Sequence, residues 1–313
     1  MHPFLIVALL ILAVWLAVGG YTFFTACVRK KELPWLVEEE ISKTPYGRFY
    51  EYMAYGDQWL RDHHAQDVYI DSHDGLKLHA YWIPAENPKG TMMLAHGYRS
   101  TMLMDFGIAF ECYQSLGFNL LVPSQRSHGK SQGRYITFGV KESRDMLSWI
   151  QFHNSNYGAC QLILNGLSMG ASTMLYLANE DLPDNVKGIV ADCGFTSPAQ
   201  IIATVFHRVV KLPAAPAIWS ADLFARVFAG FSLYEKDTRK SLTNAKVPVL
   251  LIHGTEDDFV PCEMSKEAFS ACNGQRRILL VDGAKHGVSF LVDQETYTTE
   301  LLTFLKNNLE GFA

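Results

Sequence analysis

The chain has 313 residues and a mass of 35.2 kDa, enough for one large domain or two small ones. With 49 % hydrophobic, 19 % charged and 12 % aromatic residues it excludes intrinsic disorder and collagen-like repeats. A formal net charge of −5 offers no basic footprint for nucleic acid, and six scattered cysteines exclude a disulfide-stapled miniprotein and a zinc ribbon.

Residues 3–28 contain no charged side chain. As a helix this run would extend about 39 Å, more than the roughly 30 Å of a bilayer's hydrocarbon layer, and a core helix seldom stays apolar on every face for so long. A transmembrane anchor with its basic flank is therefore expected over residues 1–31. A cleavable signal peptide is the rival, because Ala17-Val18-Gly19 resembles a cleavage site. Against it, no Lys or Arg precedes the run, and apolar residues continue through Phe24. Arg29, Lys30 and Lys31 follow directly, while His2 and the amino group alone precede it. The positive-inside rule then places the body of this single-pass chain in the cytoplasm.

Residues 32–66 read as a junction in which Tyr52, Tyr55 and Trp59 recur at helical spacing. They predict a helix packed on the body, or one lying at the membrane interface. From residue 67 to residue 313 strands alternate with helices. Residues 68–72 and 76–83 flank the turn Asp74-Gly75, a hairpin signal. Further strands are predicted at 91–95, 118–122, 161–164, 186–191, 247–252 and 278–281, and helices at 103–116, 140–152, 169–178 and 295–308. The alternation argues a doubly wound, mostly parallel α/β sheet, and the leading hairpin an antiparallel edge. Residues 197–246 break the rhythm, with no strand pattern and a break at Lys211-Leu212-Pro213. They are expected to be inserted helices forming a lid over the carboxyl ends of the strands.

The chemistry concentrates in a few short motifs. Gly166-Leu167-Ser168-Met169-Gly170 matches G-x-S-x-G, with an apolar strand before it and a helix after it. Such a turn leaves no room for side chains beside the serine, lifts the Ser168 hydroxyl above the sheet and puts the Met169 amide at a helix N-terminus, where it can stabilise an oxyanion. A serine hydroxyl needs a base. Of eleven histidines, His286 alone combines a late chain position with a loop after the last strand. The imidazole in turn needs a carboxylate to fix its tautomer. Asp257, after the strand at 247–252, and Asp192, after the strand at 186–191, are both candidates. His96-Gly97-Tyr98 ends the strand at 91–95, where the Tyr98 amide supplies a second oxyanion donor; His96 itself reads as a structural hydrogen-bonding residue.

With these motifs in order, the chain resembles the α/β-hydrolase superfamily, in the branch of serine aminopeptidase-like and monoacylglycerol lipase-like enzymes. It is especially similar to bacterial membrane-anchored hydrolases. The resemblance rests on H-G-Y at 96–98, R-S-H-G-K-S-Q-G at 126–133, G-L-S-M-G at 166–170, D-C-G-F-T-S at 192–197, H-G-T-E-D-D-F-V-P at 253–261 and G-A-K-H-G at 283–287. In the family pattern H-G-x-x-D-x-x-V-P the acid falls on Asp257, so the resemblance implies a Ser168–His286–Asp257 triad. One departure is visible: Ser124 and Ser127 stand where the family commonly has Asp and Gly. The expected activity is cleavage of a small-molecule or lipid-like acyl ester through an acyl-enzyme, with a peptidase or acyltransferase as alternatives on the same triad. A non-catalytic, membrane-tethered binding protein is the reading from another class. No metal or organic cofactor is called for: Asp62-His63-His64 and His73 fit no standard ligand spacing.

Overall fold

The computed structural model describes every residue except Met1, His2, Pro34, Pro45 and Ala313, so the N-terminal flank used for the orientation expectation lies outside the described residues. Among those described, eight strands form one sheet: β1 (Gln66–Asp71), β2 (Lys77–Ile83), β3 (Gly90–Ala95), β4 (Phe118–Ser124), β5 (Leu162–Leu167), β6 (Val186–Asp192), β7 (Val249–Gly254) and β8 (Arg276–Val281). Their order is β1-β2-β4-β3-β5-β6-β7-β8. The pairs β1/β2 and β2/β4 are antiparallel and the rest parallel, as the leading hairpin implied.

Before the sheet come α1 (Pro3–Cys27), α2 (Glu38–Ile41) and α3 (Tyr50–Asp62). Within it follow α4 (Met102–Phe106), α5 (Phe110–Ser115), α6 (Val140–Tyr157), α7 (Met169–Leu175), α8 (Pro198–Val210), α9 (Ala215–Phe224), α10 (Thr238–Thr243), α11 (Glu263–Ala271), α12 (Ser289–Val292) and α13 (Gln294–Asn308). Successive strand residues point to opposite faces, so each buried strand feeds two cores. Met92 and Leu94 of β3, with Leu250 and Ile252 of β7, meet α3, α4, α5 and α13. Met93 and Ala95, with Val249 and Leu251, meet α6, α7, α10 and α11. Full burial of each such side chain stabilises the fold by about 1.5–3 kcal/mol before entropy is counted.

A third core joins the two ends of the sequence pattern. Phe23 and Cys27, from the last turns of α1, pack with Phe138, Met169, Phe195, Ile218 and Phe231. Around this core the chain after α1 is tied down: Arg99 donates to the carbonyls of Thr25 and Val28, and Tyr98 Oη donates to Ala26 O at 2.6 Å. These bonds satisfy carbonyls that a helix C-terminus leaves unpaired.

Several expectations shift. The junction helix is α3 and it does pack on the body, but its buried face is Met53, Gly56, Trp59 and Leu60, while Tyr52 and Tyr55 are exposed. The helix expected at 103–116 is two short helices, because α3 crosses there at a glycine pair: a methyl on Gly56 would lie 2.6 Å from the Gly107 Cα. The helices α11 and α12 lie in stretches with no helix expected from sequence. In the departing motif, Ser127 holds φ +65°, a left-handed conformation that favours glycine, and its hydroxyl donates to Tyr135 O at 2.9 Å.

Candidate active site

The turn between β5 and α7 is as tight as its glycines imply. A methyl on Gly170 would stand 1.9 Å from Ala95 O, and one on Gly166 would stand 2.3 Å from the Gly170 carbonyl carbon. Only glycine lets β3, β5 and α7 approach so closely. Between them Ser168 is held at φ +56° and ψ −116°, a strained backbone for a residue with a side chain, and it is 4 % exposed.

Three loops at the carboxyl ends of the strands bring the sequence candidates together. Ser168 Oγ lies 3.0 Å from His286 Nε2, and His286 Nδ1 lies 2.7 Å from Asp257 Oδ2. These partners assign the proton to Nδ1, leaving Nε2 to accept from the serine hydroxyl. His286 is partly open on its remaining side, while the Asp257 carboxylate is fully shielded. Asp257 Oδ1 accepts from the Phe259 and Val260 amides, each at 2.8 Å. Burial works to raise the Asp257 carboxyl, but hydrogen bonds from His253 and His286 outweigh it and hold the group below the usual carboxylate range.

Asp192, the other candidate acid, makes no bond to His286. Its Oδ1 accepts from Ser289 Oγ at 3.1 Å, and its backbone carbonyl accepts the Ser168 amide at 2.8 Å. Burial pushes its carboxyl up to about 6. Sequence reasoning missed three neighbours. His253 is buried; its Nε2 donates to both Asp257 Oδ2 at 3.1 Å and Val260 O at 2.9 Å, while Ser265 Oγ donates to its Nδ1 at 2.6 Å. Asp105 accepts the Gly97 amide and the Ser100 hydroxyl, each at 2.6 Å, and burial raises its carboxyl to about 6. Cys193 brings its sulfur within 4.8 Å of the Asp257 and His286 ligand atoms, and burial pushes its thiol well up. The H-G pair at 253–254 was the one available signal for His253; nothing local marks Asp105 or Cys193.

Around the candidate oxyanion position most amides are occupied. Those of Gly97, Arg99 and Ser168 go to Asp105, His128 Nε2 and the Asp192 carbonyl. The amides of Tyr98 and Met169 have no partner among the described residues. His96 is structural as expected, accepting the Gln125 amide at Nε2, 3.0 Å away, with burial lowering its imidazole to about 4.

A cavity of about 430 Å³ opens over Ser168 and His286. Its walls are Tyr46, Phe49 and Tyr52 from the junction, Met104, Phe106 and Ile108 after the Tyr98 loop, and Phe290 and Leu291 of α12. The expected lid is not seen over this cavity. The inserted helices α8, α9 and α10 contribute none of the described lining; Ile201, Ile202, Ile218 and Ala221 of α8 and α9 pack instead with Phe23, Phe138, Met169 and Phe195.

The chain is similar to several known proteins over this body. It is 25 % identical to YqkD of Bacillus subtilis (strain 168) over 239 residues, covering 76 % of this chain and 78 % of that protein. A membrane protein of Saccharomyces cerevisiae is 22 % identical over 204 residues, covering 64 % of this chain and 65 % of that one. The esterase Pf2001 of Pyrococcus furiosus superposes with a TM-score of 0.65 at 25 % identity, covering 80 % of this chain and 94 % of its own. The sheet order and the G-x-S-x-G turn are those of α/β-hydrolases, and the prolyl oligopeptidase family model matches residues 131–311, more than half of the length; the chain belongs to that family of hydrolases.

Proposed function

We propose that this chain is a membrane-anchored serine hydrolase that cleaves carboxylic esters through an acyl-enzyme. The observation that carries the reading is the continuous contact from Ser168 Oγ through His286 to Asp257 at 3.0 and 2.7 Å. Ser168 attacks the ester carbonyl as its proton passes to His286 Nε2. The oxyanion is held by the amides of Tyr98 and Met169, which are free to donate. His286 then returns the proton to the departing alkoxide, and water deacylates the enzyme by the same route. Asp257 fixes the His286 tautomer and stabilises the imidazolium. The mostly apolar cavity suits a small or lipid-like acyl chain, and α1, 25 residues long with an 18-residue stretch of mean hydropathy 2.5, suits an anchor.

The test is labelling of the full chain in detergent by a fluorophosphonate probe. Wild-type protein is expected to label, and Ser168→Ala to lose both the label and on the order of 10⁴–10⁶ in kcat on p-nitrophenyl esters. Equal labelling of the two would overturn the assignment, and no labelling of either would favour a binding protein. The family name favours a second reading in which the leaving group is an amine; turnover of peptide amides above esters would select it.

A further inference from the structure

Two neighbouring stripes on one inserted helix face different surroundings. Pro216, Ser220 and Phe224, spaced four apart on α9, face α1. Trp15 Nε1 donates to Pro216 O at 2.7 Å, a methyl on Gly19 would lie 2.0 Å from Ser220 Oγ, and one on Gly20 would lie 3.1 Å from the Phe224 ring. Both series rise together, so the helices run side by side in the same direction. The adjacent stripe, Trp219 and Leu223 of α9 with Val227 of the π-helical turn Ala225–Ala229 that continues it, is also spaced by four, and it is exposed at 61 %, 45 % and 69 %. Val209, Val210 and Leu212, at the end of α8, are exposed beyond it.

We propose that the Trp219–Leu223–Val227 stripe is buried in the acyl region of the bilayer leaflet nearest the body, which makes α9 a second membrane-embedded element. The proposal rests on the anchoring role of α1. The residues of α1 that precede Trp15 are 3–14, about 18 Å of helix, too short for a hydrocarbon layer of roughly 30 Å. For α1 to cross, about eight further residues, from Trp15 to about Thr22, must lie in lipid as well, and α9 lies along that segment. Charge agrees with this placement. Asp222 is the one carboxylate in residues 208–231; it is buried and bonded to Arg226, Ser232 and the Leu233 amide. With Arg226 paired to Asp222, Arg208 and Lys211 remain as cations, and their long stems let the charge reach anionic headgroups while the backbone sits lower.

The test uses the full chain with the half-buried Cys112 and Cys160 replaced by Ser. One of Leu10→Cys, Leu223→Cys, Val227→Cys or Asp184→Cys then carries an environment-sensitive fluorophore. Each protein is reconstituted in vesicles of phosphatidylcholine with a minority of phosphatidylglycerol, with or without doxyl-labelled acyl chains. Labels at positions 10, 223 and 227 are expected to lose at least about half their fluorescence to the doxyl lipid. The label at Asp184, in the loop where β6 begins at the opposite end of the sheet, is expected to keep its signal. Quenching at Leu10 with none at Leu223 or Val227 would overturn the proposal and leave the anchor standing. No quenching at Leu10 would overturn the anchor itself.

Discussion

Asp257 has both carboxylate oxygens engaged, two amides on Oδ1 and two imidazoles on Oδ2. An amide side chain cannot accept at both ends, so Asp257→Asn is expected to misorient His286 and lower kcat by roughly 10⁴. Asp192→Asn, one bond away from the same machinery, is expected to lower kcat less than about ten-fold. It also has an opposite effect on stability. Burial raises the folded Asp192 carboxyl from 3.8 to about 6, so between those values the native state holds more protons than the unfolded one. Stability is therefore lost as pH rises through that window, and above it the charged, buried group costs on the order of 3 kcal/mol. Asp192→Asn removes this cost. Thermal unfolding at pH 8 should show the variant the more stable, with the gap closing below about pH 4; a less stable variant at pH 8 would refute the desolvation account.

The elements around the cavity divide the work differently from the sequence expectation. The wall comes from the junction and from the loop between Tyr98 and Ala109, both fixed by the Gly56–Gly107 contact. Specificity for acyl length should follow those elements. Tyr52→Ala and Met104→Ala are expected to shift the preference on p-nitrophenyl esters of graded chain length, with little change on the acetate. Trp219→Ala should leave that profile unchanged, and a shift there would return the lid role to the insertion. The strands and the Ser168 turn were legible in the sequence, because short apolar runs between helical stretches and a glycine pair are local signals. So was Ser168–His286, once a strand end was placed before each. The choice between Asp192 and Asp257 was not local: both follow strands, and which carboxylate reaches His286 depends on how β6 and β7 are spaced across the sheet. The function of the junction was likewise hidden, since Gly56 and Gly107 meet only after α3 has folded over the body.

At the scale of the whole molecule, α1 and the body form one packed unit rather than a domain on a tether. Phe23 and Cys27 share a core with Met169, the residue after Ser168, and Arg99, next to Tyr98, bonds the carbonyls that end α1. If α1 spans the membrane as proposed, Arg29, Lys30 and Lys31 flank it on the body's side, and a reporter fused to the C-terminus is expected to be active in the cytoplasm. A reporter active only outside would reverse the orientation and reopen the cleaved-signal alternative. The partnership of α1 with α9 also sets an order of assembly. Trp15 and Pro216 are 201 residues apart, so α1 is made, and can enter lipid, long before the helix that covers its glycines exists. During that interval Gly19 and Gly20 lack the Ser220 and Phe224 side chains that cover them in the folded chain. The contact between α1 and α9 therefore cannot form until synthesis has passed residue 224, and a chain stopped short of that point leaves the glycines of α1 uncovered.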